Sequence, residues 1–288
     1  MAGPNERPKG SEYELHREPP HHDASRVVKA VIMAGGEGTR LRPLTSNAPK
    51  PMLPIANVPM MEHVINLLRT HGFDEIVVTV AFLANAIKTY FGDGSEFGVK
   101  MHYAHEATPL GTAGSVGNAR DLLDERFLVI SGDVMTDIDL GAIVRFHDEH
   151  NAVATIGLTA VENPLDFGIV ITREDGSIER FLEKPTWGQV FSDTINTGIY
   201  VLEPKTFEFI PEGRSVDFSS EVFPALLAEG LPLYGAIAEG TGKTSARSRP
   251  TSARTRTSST RRCNSRFPVS GSTTASGSAR APRCRPTL

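Results

Sequence analysis

The segment that most constrains the fold is the apolar run KAVIM (29–33), which leads directly into the glycine-rich stretch AGGEGTR. An apolar run that ends in glycines is typical of a buried strand followed by a loop. Short apolar runs such as FLVIS (127–131) then alternate with helical patterns such as PMMEHVINLLRTHG (59–72) as far as about residue 238. This alternation predicts an open, largely parallel α/β sheet with a strand-rich second half.

Composition changes sharply at both ends of this pattern. Residues 1–27 are polar and aperiodic, which predicts a disordered extension. All 34 acidic residues and 19 of the 30 basic residues lie before residue 241, whereas residues 241–288 contain 11 basic residues, both cysteines and no acid. We therefore predict a folded domain at 28–240 and a basic, low-complexity, disordered tail at 241–288.

No stretch of the sequence has the apolar core of a signal peptide or the length of a membrane span. The first 240 residues contain no cysteine, so that domain cannot depend on disulfides. The sequence therefore predicts a cytoplasmic protein that has no membrane partner.

The loop after the first strand is the first candidate site. Gly35, Gly36 and Gly38 let backbone N–H groups approach an anion, and Arg40 and Lys50 add positive charge. Ligands of open α/β sheets bind at the carboxyl ends of strands, where this loop would lie. The glycines fit neither the dinucleotide pattern nor the Walker pattern. We predict a phosphate-binding loop, and the alternative is a flexible surface loop.

MAGGEGTRLRPLT, followed by PKPMLPIANVPMMEH, resembles the nucleotide-binding segment of sugar-1-phosphate nucleotidyltransferases, also called nucleotide-sugar pyrophosphorylases. Further similar motifs are PLGTAGSV (109–116), SGD (131–133), FGIV (167–170), FLEKPTWGQVFSD (181–193) and INTGIYV (195–201). Within this family, the motifs resemble in particular those of the bacterial mannose-1-phosphate guanylyltransferases. The resemblance implies a Rossmann-like open mixed sheet flanked by helices, in which a sugar-1-phosphate oxygen attacks the α-phosphorus of a nucleoside triphosphate and pyrophosphate leaves.

The resemblance also implies roles around the triphosphate. Arg40 would hold the β- and γ-phosphates, and Lys50 would lie near the site of attack. Asp133, at the carboxyl end of FLVIS, would bind Mg²⁺, the expected cofactor, although a strand-end aspartate often only starts a turn. The remaining contacts of the loop with the nucleotide would come from Ala34, Gly35, Gly36 and Thr39.

Glu106 lies, by resemblance, where the base is selected, with Gly111 and Thr112 as further nucleotide contacts. Guanine presents two adjacent donors, N1–H and the 2-amino group, and a carboxylate can accept from both. Thymidylyl- and uridylyltransferases tend to have an amide at this position, so Glu106 favours GTP. The alternative is a solvated glutamate at the end of a strand.

The resemblance places the sugar-phosphate pocket in the second half of the domain. Glu183 would accept hydrogen bonds from sugar hydroxyls, Lys184 would meet the sugar phosphate, and Asn196 would bind a hydroxyl. Gly168 and Thr197, in the motifs FGIV and INTGIYV, complete the predicted set.

Two polar segments are predicted to be structural. HDEH (147–150) places two histidines on one helix, and we predict a solvated polar face in preference to a metal site. Asp139 is predicted to be the N-cap of the helix that begins at Leu140.

The stretch GTGKTS (240–245) resembles the end of a Walker loop, but Ile237 stands where that loop needs its first glycine. Family members have a sequence resembling YWEDVGT here, and its aspartate is their second metal ligand. TGKTSAR can be encoded by ACT GGG AAG ACG TCG GCA CGC, and one T restored in front gives TAC TGG GAA GAC GTC GGC ACG, which encodes YWEDVGT. We therefore hypothesise that residues 241–288 are a frameshifted reading and that the domain is C-terminally incomplete. A genuine nucleic-acid-binding arm is the alternative.

The expected reaction is synthesis of GDP-mannose from GTP and mannose-1-phosphate, impaired if the second metal ligand is lost. The alternatives are a glucose-1-phosphate uridylyl- or thymidylyltransferase and a catalytically inactive ligand-binding or regulatory protein of the same fold. The expected partners are a nucleoside triphosphate and a sugar-1-phosphate. No nucleic-acid partner is expected, and a homo-oligomer is left open.

Overall fold

The structure of the chain is a computed structural model. It describes residues 29–36, 38–81, 83–161, 169–182, 194–238 and 242–244. The extension predicted at 1–27 lies outside the described residues, as does most of the tail predicted at 241–288. Three residues of that tail, Gly242–Thr244, form a short strand, whereas the sequence predicted no regular structure there.

Strands and helices alternate along the chain, as the sequence pattern predicts for 29–238. The helices are α1 (Met60–Thr70), α2 (Ala84–Phe91), α3 (Gly111–Gly117), α4 (Leu140–Glu149) and α5 (Phe223–Ala228). The strands are β1 (Lys29–Met33), β2 (Pro54–Ile55), β3 (Val58–Pro59), β4 (Glu75–Val80), β5 (Lys100–His105), β6 (Phe127–Ser131), β7 (Val134–Thr136), β8 (Ala154–Ala160), β9 (Ile169–Thr172), β10 (Ile178–Leu182), β11 (Thr194–Leu202), β12 (Leu233–Ile237) and β13 (Gly242–Thr244).

Within the described residues, the main sheet has nine strands. Its order is β10-β9-β11-β6-β1-β4-β5, and β8 lies beside β11 and carries β12 on its other side. Strands β6, β1, β4 and β5 are parallel, whereas β11 runs antiparallel to both β6 and β8. The prediction of an open mixed sheet flanked by helices is therefore confirmed.

Helices cover both faces of the sheet because its central strands are apolar on both sides. Ala30 and Ile32 of β1 pack with α1, α2 and α4 on one face, and Val31 packs with α3 and α5 on the other. Strands buried on both faces have continuous apolar sequences, which accounts for KAVIM and FLVIS. This three-layer packing fixes the carboxyl ends of β1, β4, β5 and β6 along one edge.

Helix α4 tests two predictions about polar residues. Asp139 Oδ1 accepts a hydrogen bond from Ala142 N at 3.0 Å, which confirms Asp139 as the N-cap. The prediction of a solvated face is wrong at His147, which is buried between Thr155 Oγ1 at 2.9 Å and Glu203 Oε1 at 3.3 Å. Burial, and then the charge of Arg126, lowers the pKa of His147 to about 4.

Of the helices in the described part of the chain, none combines the length and the apolar character that crossing a membrane requires.

Candidate active site

A cavity of about 460 Å³ lies at the carboxyl ends of the parallel strands. Backbone hydrogen bonds hold together the chain segments that leave β1, β5 and β6. Ala34 N donates to Thr79 O at 3.0 Å, Gly132 N donates to Met33 O at 3.0 Å, and Glu106 N donates to Val80 O at 2.9 Å. The sheet therefore fixes three separate loops around one cavity, in the position where open α/β sheets bind ligands.

Nine of the predicted site residues line this cavity: Ala34, Gly35, Gly36, Arg40, Lys50, Glu106, Gly111, Thr112 and Asp133. Thr39 is exposed on the 3-10 turn Thr39–Leu41 and is not among the lining residues. Gly168, Glu183 and Lys184 lie outside the described residues, so their predicted roles stay predictions.

The predicted phosphate loop folds back on itself at Gly38. Gly38 has φ of 62°, and a Cβ there would lie 3.0 Å from both Lys50 Cβ and Thr45 Cγ2. Thr45 Oγ1 donates to Gly38 O at 2.9 Å and holds the fold in place. Because glycine tolerates this conformation and leaves the space free, the loop brings Arg40 and Lys50 to the same cavity.

Asp133 and Lys50 form an ion pair in the cavity. Each of the two side chains is 15% exposed. Ser131 Oγ donates a hydrogen bond to the other oxygen of the Asp133 carboxylate. Both oxygens of the predicted metal ligand are thus engaged, one of them by the predicted phosphate-binding lysine.

Glu106 also lines the cavity and is only 5% exposed. Its carboxylate accepts hydrogen bonds from Ser115 Oγ at 2.7 Å and from Leu110 N at 3.3 Å. A Cβ on Gly35 would lie 2.7 Å from Glu106 Oε1, so only glycine lets the first loop pass this close. Glu106 is therefore a fixed, buried carboxylate beside the glycine loop, and the alternative of a solvated glutamate is wrong.

Gly111 and Thr112 open helix α3. Gly111 has φ of 73°, and a Cβ on it would lie 2.6 Å from Val216 O. Thr112 Oγ1 donates to Asp217 Oδ2 at 2.8 Å. Asp217 itself lines the cavity, although the sequence did not single it out. It lies 105 residues from Thr112, and its only local signal is that of a helix N-cap.

Asn196 and Thr197 lie on β11 and are not among the residues that line the cavity. Asn196 Nδ2 donates to Tyr200 OH at 3.0 Å and to Ser219 Oγ at 3.1 Å. Thr197 Oγ1 donates to Gly157 O at 2.7 Å. Both predicted sugar contacts therefore have hydrogen-bond partners within the protein.

Among the described residues, no group of three or more His, Cys, Asp or Glu side chains is arranged to hold a metal ion. Mg²⁺ is commonly held by one or two carboxylates together with substrate phosphates and water. Asp133 would supply one hard oxygen ligand at the cavity wall, next to the loop with Arg40 and Lys50. The residues present therefore fit a cation that is bound jointly with a phosphorylated ligand.

Residues 29–246 match the nucleotidyl transferase family. The chain is 42% identical over 221 residues to a UTP–glucose-1-phosphate uridylyltransferase from Synechocystis sp., and the match covers 72% of this chain and 57% of that protein. It is 40% identical over 220 residues to a mannose-1-phosphate guanylyltransferase from Mycobacterium tuberculosis, and this match covers 74% of the chain and 60% of that protein. The chain thus spans less than two thirds of the length of these curated relatives.

A solved structure from Bacillus anthracis, provisionally described as a glucose-1-phosphate thymidylyltransferase, has the same fold. Its TM-score is 0.68 at 26% sequence identity, and the match covers 76% of this chain and 90% of that one. The family match spans the sheet, and with it every loop that lines the cavity. The chain belongs to the nucleotidyl transferase family.

Proposed function

We propose that this chain transfers a nucleotidyl group from a nucleoside triphosphate to a sugar-1-phosphate, and that its two substrates are GTP and mannose-1-phosphate. The observation that carries the proposal is that one cavity collects Arg40, Lys50, Asp133 and Glu106 from three separate loops. In the reaction, an oxygen of the sugar phosphate bonds to the α-phosphorus of the triphosphate. The bond from that phosphorus to the bridging oxygen breaks, and pyrophosphate leaves.

Such a transfer depends on positioning and charge neutralisation more than on covalent participation of the protein. Arg40 and Lys50 would bind the triphosphate and stabilise the pyrophosphate as it leaves. Asp133 would hold Mg²⁺, which supplies further neutralisation of the phosphate charge when bound. Because an ammonium group has three N–H donors, Lys50 can contact a phosphate while it remains paired with Asp133.

Glu106 supports guanine as the base. A carboxylate has about four acceptor positions, and the protein uses two of them, for Ser115 and Leu110. Acceptor capacity therefore remains for the adjacent N1–H and 2-amino donors of guanine. Uracil and thymine lack this donor pair.

A second candidate is a glucose-1-phosphate uridylyl- or thymidylyltransferase. The 42% identical relative is named as a uridylyltransferase, and its identity is close to the 40% of the guanylyltransferase. Sequence identity therefore does not separate the two substrate pairs. The third candidate remains a catalytically inactive ligand-binding protein. The cytoplasmic location and the homo-oligomer also stay predictions.

We further propose that residues 241–288 are a frameshifted reading that impairs the site. In the restored frame, the aspartate of YWEDVGT falls at position 244. Strand β13 pairs antiparallel with β7, with Thr244 opposite Val134, the residue after Asp133. Strand β13 thus brings the backbone of position 244 beside the residue that follows Asp133, which supports the proposal. Sequencing the gene across this junction tests it, because codons that cannot encode YWEDVGT one frame away would rule it out.

A substrate panel tests the proposed activity. Pyrophosphate release is measured with Mg²⁺ for GTP and mannose-1-phosphate, and for glucose-1-phosphate with UTP or dTTP. We expect release that is fastest with the GTP pair and slow in absolute terms. Faster release with UTP or dTTP would favour the second candidate. No release with any pair, together with stabilisation of the fold by a ligand, would favour the inactive protein.

A further inference from the structure

We propose that Asp217 is a positioning residue that fixes the Gly111–Thr112 wall against the base and ribose of the bound nucleotide. This inference rests on the proposed function, because it assigns a role in the nucleotide half of that site. Asp217 lines the same cavity as Gly111 and Thr112 but comes from a segment 105 residues further along the chain.

The Thr112 hydroxyl takes part in two hydrogen bonds. Thr112 Oγ1 donates to Asp217 Oδ2 at 2.8 Å and accepts from Phe218 N at 2.9 Å. The donor and one acceptor position of this hydroxyl are thereby used, so its rotamer is fixed. Hydrogen bonds to a charged acceptor are stronger than those between neutral groups. Asp217 therefore sets where Thr112 stands in the cavity wall.

The Asp217 carboxylate is itself held in place by the protein. Its other oxygen, Oδ1, accepts from Ser219 N at 2.9 Å and from Ser220 N at 3.0 Å. These bonds cap the π-helical turn Phe218–Val222 that leads into α5. One oxygen of Asp217 therefore anchors the residue to the fold, and the other holds Thr112.

Backbone hydrogen bonds beside this pair join Val216 to the start of α3. Val216 N donates to Leu110 O at 2.9 Å, and Val216 O accepts from Ala113 N at 2.9 Å and from Gly114 N at 3.1 Å. These bonds dock Val216 on the start of α3, and the lack of a Cβ on Gly111 makes room for them. The backbone brings the two segments together, and the Asp217 side chain fixes the part that faces the cavity.

The same segment also contacts the predicted sugar side. Ser219 Oγ accepts from Asn196 Nδ2 at 3.1 Å, and that amide also donates to Tyr200 OH. Burial, and to a smaller extent the charge of Asp217, raises the pKa of Tyr200 to about 12. Hydrogen bonds thus link Thr112 to Asp217, Asp217 to Ser219, and Ser219 to Asn196.

A simpler explanation is that Asp217 only caps the following helix. Asp217→Ser separates the two roles, since serine is an equally good N-cap but is too short to cap the turn and reach Thr112 as well. Thr112→Val removes the hydroxyl at nearly constant volume, and Thr112→Ser restores it. Ser220→Ala is the matched control, because it removes only a contact at 3.1 Å on the exposed side of Asp217.

The test measures binding of Mg²⁺–GTP and of inorganic tripolyphosphate to the full chain by titration calorimetry. We expect Asp217→Ser and Thr112→Val each to weaken GTP binding about 10-fold, because the Gly111–Thr112 wall is then no longer held in its binding position before GTP binds. Tripolyphosphate binding should be unchanged, because that ligand occupies only the Arg40 and Lys50 side. The double variant should bind GTP no more weakly than either single variant, because both remove the same contact.

Thr112→Ser, which restores the hydroxyl, should bind GTP more tightly than Thr112→Val, and Ser220→Ala should bind GTP like the unmodified chain. Unchanged GTP binding in Asp217→Ser and Thr112→Val would overturn this inference alone. Equal losses of GTP and tripolyphosphate binding would also overturn it, because they indicate a general disturbance of the fold. If the unmodified chain binds none of GTP, UTP and dTTP, the proposed function fails and this inference fails with it.

Discussion

Replacing Gly111 by alanine should damage both stability and nucleotide binding. An alanine there would have to adopt φ of 73°, which costs a non-glycine residue about 1–2 kcal/mol. Its Cβ would also lie 2.6 Å from the backbone oxygen of Val216, and such overpacking costs about 1–3 kcal/mol more. Because the colliding atom is backbone, relief requires the cavity wall itself to move. A displacement of about 1 Å at an active site can lower the rate about 100-fold.

Gly213→Ala is the matched control for this change. Gly213 has a similar φ of 67°, but no atom lies within 4 Å of the position of its Cβ. The control therefore has the conformational cost without the collision. Urea denaturation should give Gly111→Ala a free energy of unfolding about 1–3 kcal/mol below that of Gly213→Ala, and only Gly111→Ala should lose GTP affinity. Equal stability of the two variants, or full GTP affinity in Gly111→Ala, would refute the reasoning.

Three further predictions concern other charged or polar positions. Lys50→Gln should tighten binding of Mn²⁺ to the free protein about fivefold, roughly 1 kcal/mol, because it frees Asp133; weaker binding in a titration followed by electron paramagnetic resonance would contradict this. His147→Gln should flatten the pH dependence of stability. The pKa of His147 is about 4 in the fold against an ordinary 6.5, so the unfolded chain binds more protons between these values. The free energy of unfolding of the unmodified chain should therefore fall by about 2 kcal/mol between pH 7 and pH 5. Denaturation measured at each pH should show no such fall for the variant. Thr244→Asp should raise pyrophosphate release about 10-fold, with Thr244→Asn as the uncharged control; equal rates would argue against a missing carboxylate.

The sheet and half of the site could be predicted from the sequence because both follow from local patterns. Apolar runs mark the central strands, and residues that follow strand ends, such as Asp133, meet at one edge whenever those strands are parallel. The loop from Gly35 to Lys50 is contiguous, so its glycines and cations can be recognised together. These features need no information about distant contacts.

The other half of the candidate site depends on contacts between residues that are far apart in the sequence, and local patterns do not show such contacts. GTAGSVG has the composition of a loop, yet it forms α3 because its small residues allow the segment around Val216 to pack against it. Asp217 enters the cavity only through that packing. His147 has the sequence context of a polar surface, but α4 turns it toward Thr155 and Glu203 in the interior.

The most direct test of the proposed chemistry follows the phosphorus atoms. The chain is incubated with Mg²⁺, mannose-1-phosphate and GTP that is radiolabelled on either its α- or its γ-phosphorus. The account predicts that the α-label appears in a nucleotide-sugar, that the γ-label appears only in pyrophosphate, and that Asp133→Asn abolishes both. Transfer of the γ-label to the sugar, or full turnover in Asp133→Asn, would contradict it.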